Sequence, residues 1–133
     1  MKTMSHEEYL AEIDRQMSEQ QHQLRLMAEL DLLQNKYPEL ALCYAIPNEG
    51  RRHIATGARM KRAGMLKGVS DICLPVSRNG YGSLYIELKK IGGKPTPEQK
   101  WFTEQMNKVG NYASICFGWR EALNEIKSYM GIN

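Results

Sequence analysis

The order of periodicities along the chain predicts an α/β fold, with a mixed central sheet of about four strands flanked by helices and a long N-terminal helix. Two observations carry this. Segments with apolar side chains three or four residues apart alternate with short apolar runs of strand length. The chain has 133 residues, 42% of them hydrophobic and 25% charged, the profile of one globular domain spanning 1–133. A chain of this size buries about 68% of its unfolded surface as one unit, which leaves little room for two cores.

The first helix is expected from about Ser5 to Lys36, where Leu10, Ile13, Met17, Leu24, Met27, Leu30 and Leu33 recur at helical spacing and Pro38 stops the run. Residues 1–17 form its N-terminal extension. Leu40–Ile46 is short, apolar and ended by Pro47, so it predicts a buried strand. A polar loop with Gly50 and Gly57 follows, then a short basic helix from Ala58 to Ala63 that Gly64 and Gly68 close. Asp71–Val76 and Ser83–Lys89 read as two strands around the Asn79-Gly80 hairpin signal, and Pro75 puts the first of them near an edge or bulge. Thr96 can cap the next helix, with Pro97 at its first position and Gln99 completing a capping box. That helix carries Trp101, Phe102, Met106 and Val109 and ends at Gly110. Tyr112–Phe117 is a fourth strand, and a last helix presents Ala122, Leu123, Ile126 and Met130 on one face.

No repeat, low-complexity tract or linker interrupts this order. No apolar run approaches the roughly 20 residues of a membrane span. Met1–Glu7 has no apolar stretch of the secretory kind, so a cytoplasmic protein without membrane contact is expected. Cys43, Cys73 and Cys116 are far apart and lie in apolar runs, and His6, His22 and His53 are scattered. Buried free thiols are expected, not a zinc site or disulfides.

The net charge of +3 hides an asymmetry. Residues 1–40 hold four bases and eight acids, a sum of −4, whereas residues 41–133 hold fourteen bases and seven acids, a sum of +7. Between Arg51 and Lys67 lie six bases (Arg51, Arg52, Arg59, Lys61, Arg62, Lys67) and no acid. Such a run is either a solvated face or a phosphate-contacting surface, and charge alone does not separate the two.

One constellation points to chemistry. Glu87 and Lys89 lie two apart near the end of a predicted strand and therefore share a face. If the hairpin folds about Gly80, Asp71 lies opposite Lys89 and diagonal to Glu87. Two carboxylates held so close repel unless a cation sits between them. Oxygen ligands without His or Cys favour Mg²⁺ or Mn²⁺. Such an ion can bind a phosphate oxygen and polarise a water, while Lys89 adds a positive charge for the water or the pentavalent phosphate. A plain Asp71–Lys89 cross-strand ion pair accounts for the same residues, and the residues alone leave both readings open.

These stretches, taken in order, resemble a known family. Pro47-Asn48-Glu49-Gly50-Arg51-Arg52, Gly64, Gly68-Val69-Ser70-Asp71, Tyr85-Ile86-Glu87-Leu88-Lys89, Gly92-Gly93 and Pro97-Glu98-Gln99 are similar to the virus-type replication–repair nuclease (VRR-NUC) domain of the PD-(D/E)xK nuclease superfamily. Ser18-Glu19 and Gln23 resemble its opening helix signature, so the likeness runs from about Ser18 to Met130.

The resemblance implies a restriction-endonuclease-like core and a metal-dependent DNA phosphodiesterase, with no organic cofactor. It implies Asp71 and Glu87 as metal ligands, assisted by the Leu88 carbonyl, Lys89 as the catalytic lysine, and Glu19 completing the acidic site or supporting a second ion. Gln99 would line the site, with Gln23 in support. Arg52 is the better phosphate contact of the Arg51–Arg52 pair, then Lys61, with Arg62 and Lys67 in the same basic run. Stand-alone members of the family, often phage-encoded, are homodimers on branched DNA such as four-way junctions. A bacterial or phage-infected cell and a role in DNA repair are therefore implied.

Two departures stand out. Ser70 replaces the family's usual Pro before the aspartate, and Glu49 stands where Gly is common. Trp101 and Phe102 offer either base stacking or core packing. The stripe Leu10, Ile13, Met17 offers either subunit pairing or a helix–core contact. A non-catalytic DNA-binding module on the same fold is the alternative to the nuclease, and an enzyme of RNA or free nucleotides is a third.

Overall fold

Strand pairing in this chain is set by a few fully buried aliphatic pairs. A computed structural model of the protein describes residues 3–47, 58–59 and 61–133. Arg51, Arg52, Glu49, Gly50 and Gly57 lie outside the described residues. Among those described, helices α1 (His6–Gln16) and α2 (Glu19–Leu33) lead, followed by a 3-10 turn (Pro38–Leu42) and strand β1 (Tyr44–Ala45). Strands β2 (Ile72–Leu74) and β3 (Leu84–Lys89), helix α3 (Pro97–Lys108), strand β4 (Tyr112–Phe117) and helix α4 (Trp119–Met130) complete the order. The sheet runs β1-β2-β3-β4, antiparallel across the first two pairings and parallel between β3 and β4. No helix of the described residues is long and apolar enough to cross a membrane.

Alternation on β3 builds both layers. Leu84, Ile86 and Leu88 are at most 2% exposed and meet Leu26 and Leu30 of α2 and Ala122 and Ile126 of α4. Tyr85, Glu87 and Lys89 face the other side, where α3 lies and the Phe102 ring meets Tyr85 edge-on at 5.9 Å. Phe102 is thus a core residue, while Trp101 is half-exposed.

The expected single helix over Ser5–Lys36 is two helices. Met17 is extended, and Ser18 opens α2 with a complete capping box: its hydroxyl accepts the Gln21 N–H at 3.1 Å, and the Gln21 carboxamide accepts the Ser18 N–H at 2.8 Å. The break makes Glu19 the first residue of α2, not a mid-helix position. The buried stripe of α2 is His22, Leu26 and Leu30, four apart, whereas Leu24 and Leu32 are exposed. Met17 packs on the core, and Tyr9 and Ile13 stay exposed on α1.

The expected strand Leu40–Ile46 shortens to Tyr44–Ala45 because Pro38 starts a 3-10 turn that drives Leu40 into the core. A short apolar run does not by itself distinguish strand from buried turn. Of the expected helix Ala58–Ala63, Ala58, Arg59, Lys61 and Arg62 are helical. All three cysteines are free and buried, and burial pushes the Cys43 and Cys116 thiols up to about 12.

Gly68 has φ +93°, and a Cβ there would come within 2.5 Å of the Glu98 backbone at the start of α3. Gly64 has φ +94° with open space around it. Gly64→Ala is therefore expected to cost only the left-handed strain, about 1 kcal/mol. Gly68→Ala adds a backbone clash and is expected to cost about 2 kcal/mol or more, as urea unfolding of the two variants measures.

Candidate active site

The hairpin that joins β2 and β3 sets the site. Its tip is a two-residue turn in which Arg78 and Tyr81 exchange backbone hydrogen bonds (3.1 and 2.8 Å), with Asn79 and Gly80 at φ 51° and 87°. Pro75 has no N–H to give the ladder, and the Val76 N–H turns back to the Leu74 carbonyl at 2.9 Å. Pro75, Val76 and Ser77 therefore oppose only Gly82 and Ser83, a bulge of one residue.

This corrects the expected register. Ile72 pairs with Ile86 and Leu74 with Leu84, so the next pair outward is Asp71 with Glu87, not Asp71 with Lys89. The turn is centred between Asn79 and Gly80 instead of on Gly80, which shifts the register by one residue. The bulge shifts it by another. Two shifts of one keep Asp71 on the same face, because side chains alternate with period two.

Asp71, Glu87 and Lys89 thus share the α3 side of the sheet at the C-terminal end of β3. Directly opposed side chains have Cβ atoms about 5 Å apart. The Asp71 Oδ2 accepts the Leu88 N–H at 2.7 Å, which fixes the carboxylate against β3. The Ser83 and Lys89 carbonyls accept from β4, so the odd-numbered backbone groups of β3 face β4. The even-numbered ones, the Leu88 carbonyl among them, face β2 and Asp71.

Glu87 is 1% exposed, and among the described residues neither of its carboxyl oxygens has a hydrogen-bond donor. Burial, and then the Asp71 carboxyl beside it, push its pKa up to about 9, with the Lys89 ammonium pulling the other way. A buried carboxylate without a donor is costly unless a positive charge completes it. The donor set is oxygen only, which suits a hard divalent cation. Among the described residues, no group of three or more His, Cys, Asp or Glu side chains is gathered for a metal. The residues present fit such an ion to this extent: Asp71, Glu87 and the Leu88 carbonyl could hold it.

Glu19 reaches the site from the other layer, at the start of α2, and its Oε2 lies 3.7 Å from the Lys89 Nζ. Lys89 is buried, with its ammonium directed to the acid on α2. Gln99 is committed locally: its Oε1 accepts the Thr96 N–H at 2.8 Å in the capping box that opens α3. Gln23 is half-buried on α2. Lys61 and Arg62 are exposed, and Lys67 pairs with Glu98 at 3.6 Å. Arg51 and Arg52 lie outside the described residues.

A second polar cluster sits behind the site, unheralded in the sequence. His22 is fully buried; its Nδ1 accepts the Trp119 N–H at 3.1 Å and its Nε2 lies 3.0 Å from the Asp14 carbonyl. The Asp14 carboxylate accepts from the Trp119 indole at 3.2 Å and from Arg120 at 2.6 Å. The one available signal is that His22 occupies the same stripe as Leu26 and Leu30.

The fold has a known counterpart. A solved structure described as a VRR_NUC domain protein superposes with a TM-score of 0.73 and 24% identity, over 88% of this chain and 91% of that one. This establishes the fold: a four-stranded mixed sheet between helices, as in that domain. No protein-family model matches the chain. No curated protein matches it either.

The raised Glu87 carboxyl has a consequence for stability. In the unfolded chain it ionises near 4.5, while in the metal-free fold it holds its proton to about 9. The fold then binds the extra proton between those limits, so stability falls as pH rises from about 4.5 to 9. Glu87→Gln removes that slope. In EDTA its Tm is expected to exceed the parent's by more at pH 8 than at pH 5.

Proposed function

We propose that this chain is a Mg²⁺- or Mn²⁺-dependent deoxyribonuclease of the VRR-NUC kind. One observation carries the reading: a donorless buried glutamate lies opposite an aspartate, with a lysine on the same strand face, at the end of a sheet with the VRR_NUC fold. The non-catalytic alternative has no use for that glutamate, since an apolar side chain would fill the position at lower cost.

Asp71, Glu87 and the Leu88 carbonyl would hold the ion. Bound there, the ion supplies charge for a phosphate oxygen and lowers the pKa of water. The protein does the rest. The Leu88 N–H keeps Asp71 pointed at the ligand site. Lys89 presents its ammonium from a buried stem to the attacking water and to the charge that develops at phosphorus. Glu19 holds that ammonium in place from α2. The basic run that includes Lys61, Arg62 and Lys67 supplies contacts to the phosphate backbone, which position DNA without reading its sequence. Branched DNA as substrate and a pair of copies as the working unit complete the proposal. The exposed Tyr9 and Ile13 of α1 give the second copy an apolar surface.

The test is cleavage of junction, flap, duplex and single-stranded DNA side by side with Mg²⁺ or Mn²⁺. Asp71→Asn and Lys89→Ala are each expected to lower kcat by about a hundredfold or more, while leaving the fold intact by circular dichroism. Wild-type cutting by either variant would remove the site. Binding of DNA with no cleavage by the parent protein would favour the non-catalytic module.

A further inference from the structure

We infer that His22 is a positioning residue that locks the Glu19 end of α2 to the Lys89 end of β3, so that the Glu19 carboxylate meets the Lys89 ammonium. The inference rests on the nuclease reading for its catalytic meaning, although the geometry stands apart from it.

The lock is a closed circuit of short links. The Gly118 N–H donates to the Lys89 carbonyl at 2.8 Å, and the next amide, that of Trp119, donates to the His22 Nδ1 at 3.1 Å. Two consecutive N–H groups of one turn are thus divided between the strand that carries the lysine and the helix that carries the acid. Because Nδ1 accepts, the ring proton sits on Nε2 and is donated to the Asp14 carbonyl at 3.0 Å. His22 lies three residues after Glu19, on the adjoining turn of α2. The circuit closes at 3.7 Å, between the Glu19 Oε2 and the Lys89 Nζ.

Local capping cannot do this work. The Ser18–Gln21 box fixes where α2 starts, but not how its first turn sits against the sheet. The Glu19 side chain is 46% exposed and by itself free to turn to solvent. His22, at 0% exposed, spans from α2 to the β4–α4 turn by a hydrogen bond, and Arg25 of the same helix lies over the Trp119 ring at 4.3 Å. That turn is shaped for it: Gly118 has φ +93°, and a Cβ there would meet Ile91 at 3.2 Å and the His22 ring at 3.5 Å. A second latch backs the first, since the Trp119 indole and the Arg120 guanidinium both bond the Asp14 carboxylate.

The experiment reads the Lys89 side-chain resonance (¹³Cε) of the full chain by NMR in EDTA, without DNA. Glu19→Gln is expected to shift it. His22→Leu is expected to shift it in the same direction, and the double variant to show no further change, because both act on one contact. His22→Asn offers an oxygen where Nδ1 stood and is expected to keep the parent resonance; His22→Gln, with its oxygen displaced, is not. In cleavage, His22→Leu is expected to lower kcat about tenfold with KM for DNA unchanged, and to add no loss in the Glu19→Gln background. A folded His22→Leu with the parent Lys89 resonance overturns the inference, as does a His22→Leu effect that persists after Glu19→Gln. If His22→Leu does not fold, the Asn–Gln pair decides, and equal resonances in the two overturn it. A parent protein that never cuts DNA defeats the nuclease reading, while the EDTA resonances still test the lock.

Discussion

Two carboxyl groups facing one another across neighbouring strands are the feature on which the rest of this molecule turns. Glu87 stands between Ile86 and Leu88 in its strand, and it is as buried as they are. An unpartnered acid at that depth works against folding. Its place is nevertheless dictated by the residues that do favour folding. Ile72 with Ile86 and Leu74 with Leu84 bury both strands against α2 and α4, and period-two alternation then sends Asp71, Glu87 and Lys89 together to the far face. A slip of one residue would cost the core and scatter the site at once. Core packing and site assembly are therefore a single specification.

The far face would be an open sheet without α3, and α3 covers only part of it. Phe102 meets Tyr85 near the start of β3, whereas Glu87 and Lys89 lie beyond it, toward the strand end. Lys89 is met there from the opposite layer. α2 packs on the aliphatic face through Leu26 and Leu30, and Glu19 of its first turn meets Lys89. The break at Met17–Ser18 makes this possible. A continuous helix would carry Glu19 in mid-course, and the capping box makes it the leading residue of a new one.

Much of this was legible in the sequence, for reasons that can be named. The fold class follows from two periodicities that rarely mislead when both occur in order: the strands Ser83–Lys89 and Tyr112–Phe117 and the helix after Thr96 all carry their own boundaries. The helix break was encoded too, as Ser18-x-x-Gln21, but apolar spacing continued across it and masked the cap. Leu40–Ile46 was ambiguous because a buried 3-10 turn and a buried strand draw on the same residues. The register needed two facts that act beyond the turn residues: where the tip is centred, and that Pro75 forces a bulge. Their effects cancelled in parity, so the same three residues share a face although the expected pairing was off by two. His22 gave no signal beyond its place in the stripe of Leu26 and Leu30, because a buried histidine resembles any polar residue until its partners are known, and its partner Trp119 lies far along the chain.

Ser70 stands at the margin of the candidate site, next to Asp71. In the family that the sequence resembles, a proline precedes the aspartate and restrains its backbone. Here a serine stands in that place, 2% exposed, with a hydroxyl that has no partner among the described residues. The substitution thus gives up a φ restraint and leaves a polar atom in the interior, two small penalties. Neither reaches Asp71, because its carboxylate is held from across the sheet by the Leu88 N–H and its strand is held by the Ile72–Ile86 pair. Orientation that comes from the partner strand does not depend on the residue next door.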